Sequence, residues 1–208
     1  MQTILITEEE KRDAIEKLRY HSVPDLDFYI LVIGAIILAL CGIFTDSIPL
    51  LIGSMIVAPL AYPILAGGLG IAVLNAKLLL RSFIMLALSL LLAVALAYIG
   101  TLVLGPIRVD PTFISFIAYP AFDVLVAFVA GIIAAYGLVR PKAGGAMTGI
   151  GVAVSLMPPL VAVGVGLADG IDPVTLQALL IFLLNVVGIL AGSILVFLCC
   201  GLKRHYRP

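Results

Sequence analysis

The chain has 208 residues, 63% of them hydrophobic and 12% charged, with 12 basic side chains against 12 acidic ones. A water-soluble domain carries about 25% charged residues, so the composition excludes an ordinary soluble fold. The zero net charge, without a basic block, argues against nucleic acid as a partner. A hydrocarbon core of roughly 30 Å takes about 20 apolar residues at ~1.5 Å each, and six stretches of the chain meet that demand.

Residues 1–26 form a polar leader, acidic near its start and without the marks of a cleavable signal peptide. Thr7-Glu8-Glu9-Glu10 reads as a capping box opening a short helix. Asp13 and Lys17, four apart, are spaced to pair, and Ala14, Ile15 and Leu18 give a thin apolar face. The leader is expected to be solvated or interfacial rather than a docking site. Span 1 covers 28–44 and ends at Thr45-Asp46-Ser47. Span 2 covers 48–75 and contains Pro59 and Pro63. Span 3 covers 78–104, follows Lys77 and carries Arg81 in its first turn. A polar loop with Pro106, Arg108, Asp110 and Pro111 comes next. Residues 112–122 are apolar but too short to cross, and are expected to form an interfacial helix ended by Pro120. Span 4 covers 123–139, span 5 covers 144–168 with Pro158-Pro159, and span 6 covers 174–200, followed by Lys203-Arg204-His205. Cys41, Cys199 and Cys200 read as small packing residues.

Six spans put both termini on one side. Of the 12 basic residues only Arg108 falls on the other side, so the positive-inside rule places both termini in the cytoplasm of a multi-pass cell-membrane protein.

A shift of 96 residues aligns the two halves without a gap. Asp27 meets Asp123, Gly53 meets Gly149, Pro63 meets Pro159, Gly68 meets Gly164, Gly70 meets Gly166 and Gly105 meets Gly201; Ser89 meets Asn185, both polar and both mid-span. Three spans per unit is an odd number, so the second copy enters the membrane from the opposite face. The expected fold is an all-α membrane protein, six transmembrane spans as two inverted three-helix repeats with broken middle helices. Its parts are a cytoplasmic leader (1–26), a first repeat (27–105), an extracytoplasmic connection (106–122), a second repeat (123–201) and a cytoplasmic basic tail (202–208).

Proline within a span removes a backbone donor, and broken backbone at membrane depth is tolerated only where protein or an aqueous cavity satisfies it. The runs 53–63 and 149–159 are therefore expected to face the interior, where half-helix ends present oriented N–H or C=O groups to a solute. The candidate substrate-binding residues are Ser54, Pro59, Tyr62, Pro63, Ser89, Thr148, Ser155, Pro158, Pro159 and Asn185. Pro63 and Pro159 are expected near one another at mid-depth. Ionisable groups fall at span ends only, and Asp27 and Asp123 read as helix N-terminal or interfacial residues. No catalytic residue, metal site or cofactor is indicated. The histidines, His21 and His205, are in the tails, and no HExxH, serine elbow, phosphate loop or Cys/His cluster occurs.

DSIPLLIGSMIVAPLAYPILAGGLGIA (46–72), KLLLRS (77–82), VAFVAGIIAAYGL (126–138) and SLMPPLVAVGVGLADG (155–170) resemble the hydrophobic proteins catalogued as domain of unknown function 389. The likeness covers about 27–201. It implies an integral membrane protein and brings no substrate and no catalytic residues. Many members carry extra soluble domains, and this chain resembles the membrane unit alone. The expected function is transport of a small solute or ion at a midplane site between the broken helices, in a homo-oligomer, with a dimer favoured. A channel, or a scaffold or sensor subunit that transports nothing, are the alternatives.

Overall fold

The computed structural model describes residues 6–23, 25–106, 120–140 and 156–202. Thr148, Ser155 and most of the proposed interfacial helix lie outside the described residues. Among those described, every regular element is an α-helix: α1 (Glu8–Tyr20), α2 (Leu26–Phe44), α3 (Ile48–Val57), α4 (Ala61–Ala72), α5 (Ala76–Leu104), α6 (Pro120–Val139), α7 (Met157–Asp169) and α8 (Asp172–Cys199). Four of these are long and apolar enough to cross a membrane, or five if α3 and α4 are one bent span.

Local chemistry sets the boundaries. Glu10 N donates to Thr7 Oγ1 at 3.2 Å and Thr7 N to Glu10 Oε2 at 2.8 Å, the reciprocal capping box that opens α1. Lys11 and Glu8 form an ion pair on α1 at 3.2 Å. Asp25 caps α2 through Phe28 N at 2.8 Å, and Asn75 caps α5 through Leu78 N at 2.8 Å. Pro120 is the first residue of α6, where a proline has no intrahelical hydrogen bond to lose and a pre-set φ. Pro59 lacks the N–H that would continue α3; Ala58 turns extended (φ −67°, ψ 121°), and α4 leaves at 50° to α3.

Two hairpins, α4–α5 and α7–α8, are built alike. Asn75 N donates to Gly70 O at 2.8 Å, and Ile171 N to Gly166 O at 2.9 Å. Between them Leu74 (φ 58°) and Gly170 (φ 67°) take the left-handed conformation that closes a Schellman turn. A methyl group on Gly70 would lie 2.9 Å from Leu79 N, and one on Gly166 would lie 3.1 Å from Thr175 N. Each residue of the second hairpin is 96 positions after its counterpart.

The central packing is crossed in the same way. α4 packs against both α5 and α8, and α7 packs against both α8 and α5. Gly68 meets Ser193, with a Cβ there only 3.2 Å from Ser193 Cβ. Gly164 meets Ala97, with a Cβ there 2.6 Å from Ala97 Cβ. These two contacts are again related by 96 residues. The seam between α6 and α8 is parallel: Gly188 faces Val124, Ala127 and Phe128, and one turn on Gly192 faces Phe128, Gly131 and Ile132. Small residues four apart let the two backbones approach closely. α2 packs against α3 and α5, and α1 lies on α4 and α6 with Ala14, Ile15 and Leu18 buried.

Candidate functional site

The register of α5 against α8 locates the middle of the bundle. Gly67 of α4 touches both Ser82 of α5 and Leu190 of α8, at 3.5 and 3.4 Å from a Cβ placed on it. At the other end Gly164 of α7 touches Val94 and Ala97 of α5, two residues before Gly166 touches Thr175 of α8. Position 82 of α5 thus shares a level with 190 of α8, and positions 94–97 share one with about 177, so α5 and α8 are antiparallel. Halfway between these levels lie Ser89 on α5 and Asn185 on α8, within about 3 Å of one another along the axis at ~1.5 Å per residue. Both are buried, 1% and 3% exposed.

α4 and α7 start at this same level. α4 runs antiparallel to α5, hence parallel to α8. Seven residues back from Gly68 its first turn, Ala61–Pro63, comes level with Asn185. α7 runs antiparallel to α8, hence parallel to α5, and its first turn, Met157–Pro159, comes level with Ser89. Between α5 and α8, α4 fills one half of the bundle and α7 the other, with their N-termini turned toward each other. Neither start has a side-chain cap. A helix N-terminus carries roughly half a positive charge, and proline thins the N–H groups that express it. Pro63 takes one donor from α4; Pro158 and Pro159 take two from α7. The centre therefore offers oriented dipoles and few strong donors.

The other candidates divide. Ser54 is fully buried in α3 and its hydroxyl donates to Leu51 O at 2.6 Å; Ser89 Oγ donates to Met85 O at 2.8 Å. Both protons are used within their own helices, which leaves each hydroxyl oxygen only acceptor capacity. Pro59 is half-buried in the turn between α3 and α4. Pro63 is buried, while Pro158 and Pro159 are half-buried. The first turns of α4 and α7 come opposite one another at the central level, but α4 and α7 form no extensive side-by-side interface among the described residues.

Several features were not legible in the sequence. Tyr62, in the first turn of α4, stacks on His21, with ring centroids 4.3 Å apart and planes at 26°; His21 had read as a tail residue. Ser82 and Ser193 are buried polar residues at the close-packed contacts, their hydroxyls donating to Leu78 O at 2.9 Å and Leu190 O at 2.8 Å. The 96-residue shift of Gly68 to Gly164 was the available signal for Ser193, its partner. Asp27 and Asp123 do sit at helix starts, but those helices begin at mid-bundle. Leu40 of α2 lies against Gly100 of α5, and Val124 of α6 against Gly188 of α8. Counting back along parallel helices brings Asp27 and Asp123 to about the level of Ser89 and Asn185. Among the described residues no cluster of His, Cys, Asp and Glu is arranged to hold a metal ion.

The sequence profile of a family described as a domain of unknown function (DUF389) matches residues 55–191. An uncharacterized protein of Methanocaldococcus jannaschii is 32% identical over 210 residues, which cover 96% of this chain and 65% of the relative. The chain thus spans about 65% of the length of that curated relative. No solved structure matches the chain significantly.

Proposed function

We propose, from the premise that this chain belongs to the DUF389 family, that it is a carrier for a small solute or ion whose site is the central layer between α4, α5, α7 and α8. The observation that carries this reading is the pair of opposed helix starts, Ala61–Pro63 and Met157–Pro159, level with Ser89 and Asn185. Discontinuous helices whose ends meet at mid-depth are how many secondary transporters hold a solute without a buried charge. A donor-poor site also binds weakly enough to release what it takes.

In this reading the chain crosses the membrane six times, with α2 and α6 supplying the part of their crossings beyond the central layer, as two three-helix units inverted with respect to each other, with both termini cytoplasmic. The crossed Gly68–Ser193 and Gly164–Ala97 contacts, the matched Schellman turns and the antiparallel α5 and α8 support it. A two-fold axis through the level of Ser89 and Asn185 would exchange the halves. Alternating access is then a rocking of one unit against the other. The transporting form is a homo-oligomer, in the first instance a dimer, and the chain carries no enzymatic chemistry of its own.

The test is flux in proteoliposomes across a panel of small neutral and ionic solutes. Pro63→Ala with Pro159→Ala, or Ser89→Leu with Asn185→Leu, is expected to abolish saturable flux while the purified protein stays monodisperse. Unchanged flux in both variants would remove the site. Accelerated exchange of labelled solute against a gradient marks a carrier, and its absence a channel. The hydroxyl protons of Ser54 and Ser89, satisfied inside their own helices, favour one other reading: a packed scaffold that passes no solute in any assay.

A further inference from the structure

The leader helix carries an inference about how the central layer is reached. α1 does not lie across the end of the bundle; it runs along it. α1 packs on both α4 and α6, which run from the central layer toward the end of α8 that carries Cys200. At its C-terminal end His21 stacks on Tyr62 in the first turn of α4, which is level with Asn185. From Cys200 to that level is about 20 Å along α8, and the 13 residues of α1 are about 20 Å long at ~1.5 Å each. The helix therefore descends from the end of the bundle to its middle.

Its outward face is charged. Ala14 and Leu18 are sealed against the bundle, while Arg12, Asp13, Glu16, Lys17 and Arg19 are exposed. Asp13, Glu16, Lys17, Tyr20 and His21 line an open recess of about 280 Å³. Asp25 and Asp27, exposed at the junction with α2, continue the polar surface at mid-level. At the same levels α6, on which α1 packs, exposes Val126, Val129 and Ile133, a face suited to lipid. One side of this half of the bundle is therefore apolar and the adjoining side densely ionic. Charges of both signs cannot face hydrocarbon, and helices that carry them into a membrane turn them toward water.

We propose that the polar face of α1 borders a water-filled vestibule, open at the end of the bundle where α8 finishes and floored at the central layer by His21 on Tyr62. The vestibule gives solute an aqueous path along α1 to the broken start of α4. The proposal rests on the reading above only in taking the central layer to lie within the bilayer; it does not depend on transport.

Spin labels on Lys17→Cys and Val129→Cys, which fall at about the same level, test it. They are made in a chain with Cys41, Cys199 and Cys200 replaced by alanine and reconstituted in lipid bilayers. Accessibility to molecular oxygen and to a water-soluble nickel chelate is measured for each. The Val129→Cys label is expected to be oxygen-accessible at hydrocarbon depth. The Lys17→Cys label is expected to favour the nickel chelate at least severalfold at the same depth. A Lys17→Cys label that favours oxygen, that is sealed from both reagents, or that lies clear of the membrane while Val129→Cys lies within it overturns the vestibule. A Val129→Cys label in water overturns the membrane placement of the central layer instead. If the cysteine-free chain does not fold, membrane-impermeant maleimide labelling of Glu16→Cys in the chain with its native cysteines, counted as the excess over the unsubstituted chain labelled in parallel, supplies the accessibility arm: rapid excess labelling supports the vestibule, and no excess overturns it.

Discussion

At the residue scale, the left-handed turn positions and the close-packed glycines carry the local energetics. Leu74 adopts φ 58°, where the 96-shifted position holds Gly170 at φ 67°. A non-glycine residue loses about 1–2 kcal/mol in that conformation, and glycine's greater freedom in the unfolded chain returns about 0.5–1 kcal/mol. Leu74 is 77% exposed and has little packing to lose. Leu74→Gly is therefore expected to raise the unfolding midpoint in detergent by up to about 1 kcal/mol, and Gly170→Leu to lower it by a similar amount. A second comparison separates packing from composition. Gly164→Leu must push into Ala97 and the Val94 carbonyl, whereas nothing lies within 4 Å of a Cβ on Gly34. Gly164→Leu should destabilise by about 1–3 kcal/mol and Gly34→Leu by much less, read as the shift in thermal midpoint. The prolines at the breaks were legible because no other residue removes a backbone donor. Which glycines touch which helix was not, since sequence spacing alone does not say what lies opposite.

At the element scale, propensity and context diverged where an element has two apolar uses. Ala14, Ile15 and Leu18 form a thin apolar stripe that looks the same on a helix resting at an interface and on one sealed against a bundle; only the burial of Ala14 and Leu18 decides between them. Pro120 read as a stop because proline ends helices, and the same residue stands first in α6, where a missing N–H leaves no helical hydrogen bond unmade. The break between α3 and α4 was visible as Pro59 and Pro63, and it falls at Ala58–Leu60. What the sequence did not show is that α4 and α7 occupy opposite halves of the space between α5 and α8. That depends on the sense in which α5 and α8 run past each other. Leu18→Asp should detach α1 without unfolding the remaining helices, since among the described residues α1 makes only small interfaces, chiefly with α4 and α6. Loss of α1 protection in amide exchange, with α5 and α8 unchanged, is the expected result.

At the scale of the whole molecule, the proposed arrangement rests on the recurrence over 96 residues. It was readable in the sequence from glycine and proline positions. The matched hairpins and crossed contacts give it a physical content that composition lacked, because apolar matches arise by chance while a shared left-handed turn does not. If the two units are inverted in the bilayer, equivalent positions must face opposite compartments. Ala76 and Asp172 are such a pair, each exposed and each the first residue of a long helix. Single Ala76→Cys and Asp172→Cys variants, in a cysteine-free background, can be labelled with an impermeant maleimide from one side of sealed membranes and then from the other. The account predicts that Ala76→Cys labels only from the cytoplasmic side and Asp172→Cys only from the opposite side; labelling of both from the same side would contradict it.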